Sequence, residues 1–129
     1  MAPEVMRGEN VNELADVYSF SIMLWEFTFG RPPFYGMEGA QIVYMVGLKK
    51  ERPELIDRLP SRLVDLVESC WADDPDDRLD STRIIGHLDS CKEDEEFLRA
   101  FDDFLRSRDV WEKEIEEFIA DRNSNLSFK

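Results

Sequence analysis

The groups that could do chemistry are few, and their spacing argues against most site types. There is one histidine, His87, and two cysteines, Cys70 and Cys91, which lie twenty-one residues apart with no CxxC pair. That is neither a zinc-ligand pattern nor a disulfide framework, so the cysteines read as reduced, packed thiols in a cytoplasmic chain. No GxGxxG occurs, so a glycine-rich phosphate cradle is not expected. The abundant ionisable groups are carboxylates and guanidiniums, with 29 acids against 16 Lys and Arg and a formal net charge of −13. A polyanion repels such a chain rather than gaining affinity from counterion release, so no nucleic-acid partner is expected.

The elements that would position these groups read as helices. Apolar residues make up 43% of 129 residues and aromatic residues 12%, enough for the core of one small domain. Residues 12–29 predict a helix with little polar face. Asp16 stands at its N-cap or first turn, and Gly30, Pro32 and Pro33 stop it. Val17, Phe20, Ile22, Met23, Leu24, Trp25 and Phe27 spread around most of its circumference, the mark of a helix at the centre of a fold. Residues 37–50 read as a second helix with Ile42, Met45, Val46 and, less regularly placed, Val43 inward. After Pro53 and Pro60, residues 61–72 read as a third, capped by Ser61, with Leu63, Leu66, Val67, Cys70 and Trp71 on one stripe. Pro75 breaks the chain in an acidic turn. Asp80 then caps a fourth helix to about Cys91 that buries Ile84, Ile85 and Leu88. No segment alternates with period two, so no sheet is expected.

The composition shifts at Glu93. Residues 93–122 hold twelve acids and five bases, and Phe97, Phe101, Phe104, position 108, Trp111, Ile115 and Phe118 recur at steps of four and three. This heptad-like stripe, with Arg at position 108, fits one long helix or two that break near 107–109. It either packs on its own domain or self-associates through residues 97–119. Residues 123–129 read as a flexible tail. The apolar run 17–29, broken by Ser19, Ser21 and Glu26, is too short and too polar for a membrane span. The opening MAPEVMRGEN has neither the charged nor the apolar region of a signal peptide.

Four ordered blocks carry a family resemblance. MAPEV at 1–5 resembles the A-P-E signature that closes a protein-kinase activation segment, and ADVYSFSIMLWEFTFGRPPF at 15–34 the central helix of the kinase large lobe. RPEL at 52–55 with LPSRLVDLVESCWADDPDDRL at 59–79, then STRIIGHL at 81–88, resemble the last third of that lobe in tyrosine kinases and tyrosine-kinase-like kinases. The resemblance covers about residues 1–92. It implies an all-α fold, the helical half of a kinase large lobe in about four helices, followed by the acidic amphipathic helix or helix pair.

The resemblance assigns scaffold roles to four residues. Glu4 would pair with Arg78, whose planar fork suits a buried carboxylate. Asp16 matches the aspartate that, in an intact kinase, accepts hydrogen bonds from the catalytic-loop backbone; in this chain it is left with the work of a helix cap. Trp71 matches a core tryptophan. Ser21 stands where the family usually has glycine, and Leu79 where it usually has proline.

Phosphoryl transfer needs a glycine-rich loop, a strand lysine paired to a helix glutamate, a catalytic loop and a metal-binding D-F-G, all before A-P-E in these domains. None is found here, so the resemblance assigns this chain no catalytic, cofactor-binding or metal residue. It implies ATP and Mg2+ only for an intact parent kinase. His87-Leu88-Asp89 mimics the catalytic loop but has Asp94 where asparagine is required, and Asp103-Phe104-Leu105 mimics D-F-G far beyond A-P-E. Because related domains often read W-M-A-P-E, Met1 fits an internal methionine of a longer frame as well as a true start. Two functions stay open: part of a kinase that phosphorylates protein Ser/Thr or Tyr, or a free-standing, non-catalytic interaction module. Expected partners are the N-terminal kinase segments, or a protein substrate or regulator docked on the 37–50 helix.

Overall fold

In the computed structural model, which describes residues 1–55 and 58–126, the helix at 14–29 is the element on which the others are assembled. Six helices follow in order: α1 (Pro3–Met6), α2 (Leu14–Phe29), α3 (Gly39–Ile42), α4 (Ser61–Cys70), α5 (Ser81–Lys92) and α6 (Glu95–Leu126). A π-helical segment, Val43–Leu48, continues α3, and a 3-10 turn, Pro75–Asp77, joins α4 to α5. The described residues contain no strand, as the absence of period-two segments predicts.

The near-uniform apolar surface of α2 lets it serve two cores. Tyr18, Trp25 and Phe29 join Phe34, Met45, Val46, Leu63, Val67 and Phe104 in the larger one. Val17 joins Leu66, Cys70 and Ile84 in the smaller. Trp25 and Phe29 lie with parallel rings 4.1 Å apart, and the Trp25 indole donates to the Glu54 carbonyl at 2.8 Å. Met23 and Phe27 face outward, so part of this central helix is open to solvent. Gly30 takes the left-handed conformation at φ 73° and its N–H closes on the Glu26 carbonyl at 2.7 Å, which ends α2 where Gly30 is predicted to end it.

The remaining boundaries differ from expectation in instructive ways. α2 starts at Leu14, with Asn12 Oδ1 accepting from the Leu14 N–H, and Asp16 lies in the first turn with its side chain exposed. The 37–50 segment is two pieces, with Met45 and Val46 buried and Val43 exposed. Ser61 does not cap α4: Pro60 occupies the cap and Ser61 is the first helical residue, its side chain making no capping bond. Asp80 does cap α5, accepting from the Arg83 N–H at 2.8 Å. Ile85 and Leu88 are not buried, being 58% and 38% exposed; of the predicted α5 trio only Ile84 lies in the core.

α6 is one unbroken helix through Leu126, so the backbone continues helical past residue 122, and residues 127–129 of the expected tail lie outside the described residues. At 1.5 Å per residue its 32 residues span about 48 Å. Phe97, Phe101, Phe104 and Phe118 pack against the larger core. The stripe members at 108, 111 and 115 lie outside the described side chains. Arg58 pairs with Glu114 at 2.8 Å and Arg31 with Glu116, which holds the distal part of α6 against the loops flanking α3. Asp94 caps this helix, accepting from the Phe97 N–H at 3.1 Å and from Arg62 at 2.8 Å.

Candidate functional site

Proline at the first position of α1 fits the fixed φ a helix start requires, and it sets Glu4 in the first turn with its side chain directed into the protein. Arg78 leaves the 3-10 turn in extended conformation (φ −86°, ψ 152°), which carries its side chain back toward α1. The two meet as a fork on a carboxylate: Nη1 donates to Oε1 at 2.9 Å and Nη2 to Oε2 at 2.8 Å. Their side chains are 0% and 2% exposed. Arg78 Nε also donates to the Ala72 carbonyl and Nη1 to the Leu14 carbonyl, each at 2.8 Å. The guanidinium is thus saturated with acceptors, the condition under which the desolvation cost of a buried ion is offset. Hydrogen bonding from Arg78 outweighs burial and holds the Glu4 carboxyl below its ordinary value.

A second charged group continues from the first through Tyr18. The guanidiniums of Arg78 and Arg52 each lie 5.2 Å from the centre of the Tyr18 ring. Arg52 Nε donates to the Trp71 carbonyl at 2.8 Å, so Trp71 is buried by its ring and tied down by its backbone. Asp73 then collects Arg7 at 3.0 Å, Lys50 at 3.5 Å and Arg52 at 3.7 Å. Burial works to raise the Asp73 carboxyl, but Arg7, Lys50 and Arg52 overcome it and leave it below the usual carboxylate range. Arg7 also donates to the Gly47 carbonyl at 2.8 Å, linking α1 to the π-helical segment. A β-carbon on Gly47 would stand 3.3 Å from that of Met6, so this contact needs a small residue.

Of the four residues singled out from sequence, the structure brings Glu4 and Arg78 into contact and ties the Trp71 backbone to Arg52, which shares the Tyr18 ring with Arg78. Asp16 stands apart on the exposed side of α2's first turn. Sequence reasoning missed Arg52, Asp73 and Tyr18. Arg52 and Asp73 sit in loops where no periodicity marks them, and Tyr18 is one aromatic among many on α2.

The arrangement is a clamp rather than a reaction centre. The buried Glu4 carboxylate is held by Arg78, and the partly buried Asp73 carboxylate by Arg7, Lys50 and Arg52. The thiols are no better placed as nucleophiles: burial pushes Cys70 up to about 11 and raises Cys91 as well. His87 lies within α5, where Nε2 donates to the Arg62 carbonyl at 2.9 Å, and Phe104 is buried within α6, so both motif look-alikes are helix interior. Among the described residues no three His, Cys, Asp or Glu side chains group to hold a metal. No described helix is long and apolar enough to cross a membrane.

The clamp, the helix order and the sequence blocks they join define a class. Residues 1–88 match the family of protein tyrosine and serine/threonine kinases, and the chain belongs to that family, corresponding to the C-terminal part of its catalytic domain. It is 36% identical over 94 residues to mitogen-activated protein kinase kinase kinase 7 of Drosophila melanogaster, covering 73% of this chain and 14% of that protein. With serine/threonine/tyrosine-protein kinase HT1 of Arabidopsis thaliana the identity is 38% over 93 residues, 72% of this chain and 24% of the relative. With human mitogen-activated protein kinase kinase kinase 11 it is 30% over 118 residues, 90% of this chain and 14% of the relative, an overlap that reaches into α6. The chain spans between a seventh and a quarter of the length of these relatives.

Proposed function

We propose that this chain is the foundation of a protein-kinase large lobe, whose parent domain transfers phosphate from ATP, with Mg2+, to protein Ser/Thr or Tyr hydroxyls in the cytoplasm. Residues 1–92 supply the scaffold and residues 93–122 an acidic helical extension that braces it. In this reading Glu4 and Arg78 fix the end of the activation segment to the lobe, Trp71 anchors the turn beside them, and Asp16 is presented for segments that precede α1. The observation that carries the reading is the fully buried, two-point contact between Glu4 in the A-P-E block and Arg78, 74 residues later.

The test has two arms. Titration of the 129-residue chain with Mg-ATP in a calorimeter is expected to give no binding heat; micromolar binding would overturn the assignment of the nucleotide site to other segments. The transcript upstream of Met1 is expected to encode, in frame, a catalytic-loop H-R-D and a D-F-G. A stop codon there would favour a second reading, a non-catalytic interaction module. That second reading draws on Tyr35, Val43 and Leu48, which are exposed around α3 and its π-helical continuation and suit a protein substrate or regulator better than solvent.

A further inference from the structure

Among the described residues the helical ladder widens at one place, Val43–Leu48. α3 closes on the ordinary spacing, the Ile42 N–H bonding the Glu38 carbonyl at 3.1 Å. Further on, the Lys49 N–H bonds the Tyr44 carbonyl, five residues back, at 3.0 Å. The side chains keep the same wide spacing, since the Lys49 ammonium lies 5.9 Å from the centre of the Tyr44 ring. Lys50 then turns left-handed at φ 59°, a conformation a lysine holds only where its surroundings impose it. A π-turn takes in one residue more than an α-turn and is rare for that reason, so contacts from outside must hold it open.

Those contacts converge on Asp73. Arg7 Nη1 donates to the Gly47 carbonyl at 2.8 Å and to Asp73 at 3.0 Å. In an α-helix the Gly47 carbonyl would accept from the Glu51 N–H; here arginine occupies it, and the Glu51 N–H bonds the Met45 carbonyl at 2.9 Å. Lys50 at 3.5 Å and Arg52 at 3.7 Å reach the same Asp73 carboxylate from beyond the end of the segment. One carboxylate therefore fixes a carbonyl inside the segment and two residues past it. Tightening to the α spacing from Gly47 onward would leave Met45 and Val46 in the core and pass one residue into the following loop. Gly47 and Leu48 would turn by about 100°. Gly47 would leave its close approach to Met6, and Leu48, 65% exposed, would face a new direction.

We propose that Val43–Leu48 is a two-register element. The π register, held by Asp73, fastens α1 to the segment; the α register frees α1 and redirects Leu48. The element thereby links α1 to the exposed apolar residues around Val43, whether or not a parent domain is catalytic.

The test uses NMR on the full 129-residue chain. Asp73→Asn keeps the side-chain shape and removes its charge. It should move the Cα and carbonyl shifts of residues 43–51 toward α-helical values and weaken the contact between the Met6 methyl and the Gly47 α-protons several-fold. Shifts in α2, α4 and α5 should stay in place. Deleting Leu48 removes the extra residue, so it should be accepted and lock the segment in the α register. Deleting Glu68, on the exposed side of α4, turns every later residue of that helix by about 100° and should lower the thermal midpoint far more. If Asp73→Asn unfolds the chain, Arg7→Gln, which vacates the Gly47 carbonyl and leaves Asp73 to Lys50 and Arg52, is read the same way; if both unfold, the Leu48 deletion decides alone. The proposal is overturned by shifts at 43–51 that match the parent in a folded variant, by changes spread evenly over all helices, or by a Leu48 deletion as damaging as that of Glu68.

Discussion

Arg78→Ala is the most informative single change. It removes two charge-assisted bonds to Glu4, bonds to the carbonyls of Ala72 and Leu14, and the cation over Tyr18. More importantly, it leaves Glu4, 2% exposed, as an uncompensated carboxylate in the interior. One-sided loss of a buried pair costs about 3–5 kcal/mol. Against the roughly 5–15 kcal/mol that holds a domain of this kind together, that is a large fraction of the total. Scaled to a chain of this length, the thermal midpoint should fall by roughly 10–20 °C. The assay is urea and thermal unfolding followed by circular dichroism, run as a cycle with Glu4→Gln and the double variant. Arg78→Lys should recover part of the loss, since it restores the charge but not the two-point fork. Melting of Arg78→Ala with the parent chain, or a coupling energy between positions 4 and 78 below about 0.5 kcal/mol, would refute the clamp.

Three further outcomes follow from the same geometry. Glu4, Asp73 and Asp94 all have folded-state values held below their ordinary ones. The unfolded chain therefore binds more protons, and the stability they contribute is present above about pH 4.5 and is lost as pH falls through their folded values. Urea midpoints between pH 7 and pH 3 should show that acid limb, and it should be shallower in Glu4→Gln; a flat profile refutes the shifts. Leu79→Pro should cost about 1–2 kcal/mol in urea melts, because the Leu79 N–H donates to the Ser69 carbonyl at 3.0 Å and its side chain packs beside Ile84. Arg78 already has the extended backbone that a following proline prefers, so a stabilised variant would show that this bond contributes nothing. Gly47→Val should destabilise by about 1–3 kcal/mol by crowding Met6, and unchanged melting would mean that α1 and the π-helical segment are not held together there.

Much of the helical frame was legible because its signals are local. Gly30 ends α2, Asp80 caps α5, and the α4 stripe from Leu63 to Cys70 is buried as its period demands. The segment from 37 to 50 was less legible, because nothing in its pattern distinguishes an α-helix from one that widens to a π-helix at Val43. Ile85 and Leu88 misled for a different reason: they face an apolar surface, but it is the wall of a cavity and not a filled core. Of the clamp, only the Glu4 and Arg78 ends could be read, and those through the family blocks. Arg52, Asp73 and Tyr18 belong to it by tertiary contact, which leaves no trace in spacing. The cap that Asp94 gives α6 could have been found, since an aspartate followed by Glu95, Glu96 and an apolar stripe is a helix-start signature.

The distance along the chain between the two ends of the clamp has a kinetic consequence. Glu4 and Arg78 are 74 residues apart, so joining them closes a loop that takes in α2, α3 and α4. Local helices form far faster than such a closure, and the entropy of closing it is recovered only when the fork and its carbonyl partners are all in place. The clamp should therefore form after the rate-limiting step and act as a latch on the finished structure. In a chevron experiment Arg78→Ala should leave the refolding limb nearly unmoved and steepen the loss on the unfolding side, so that its stability deficit appears almost wholly as faster unfolding. An equal slowing of refolding would place the clamp in the folding nucleus instead. As a latch, it makes the time for which this lobe stays closed, more than the speed with which it forms, depend on one arginine.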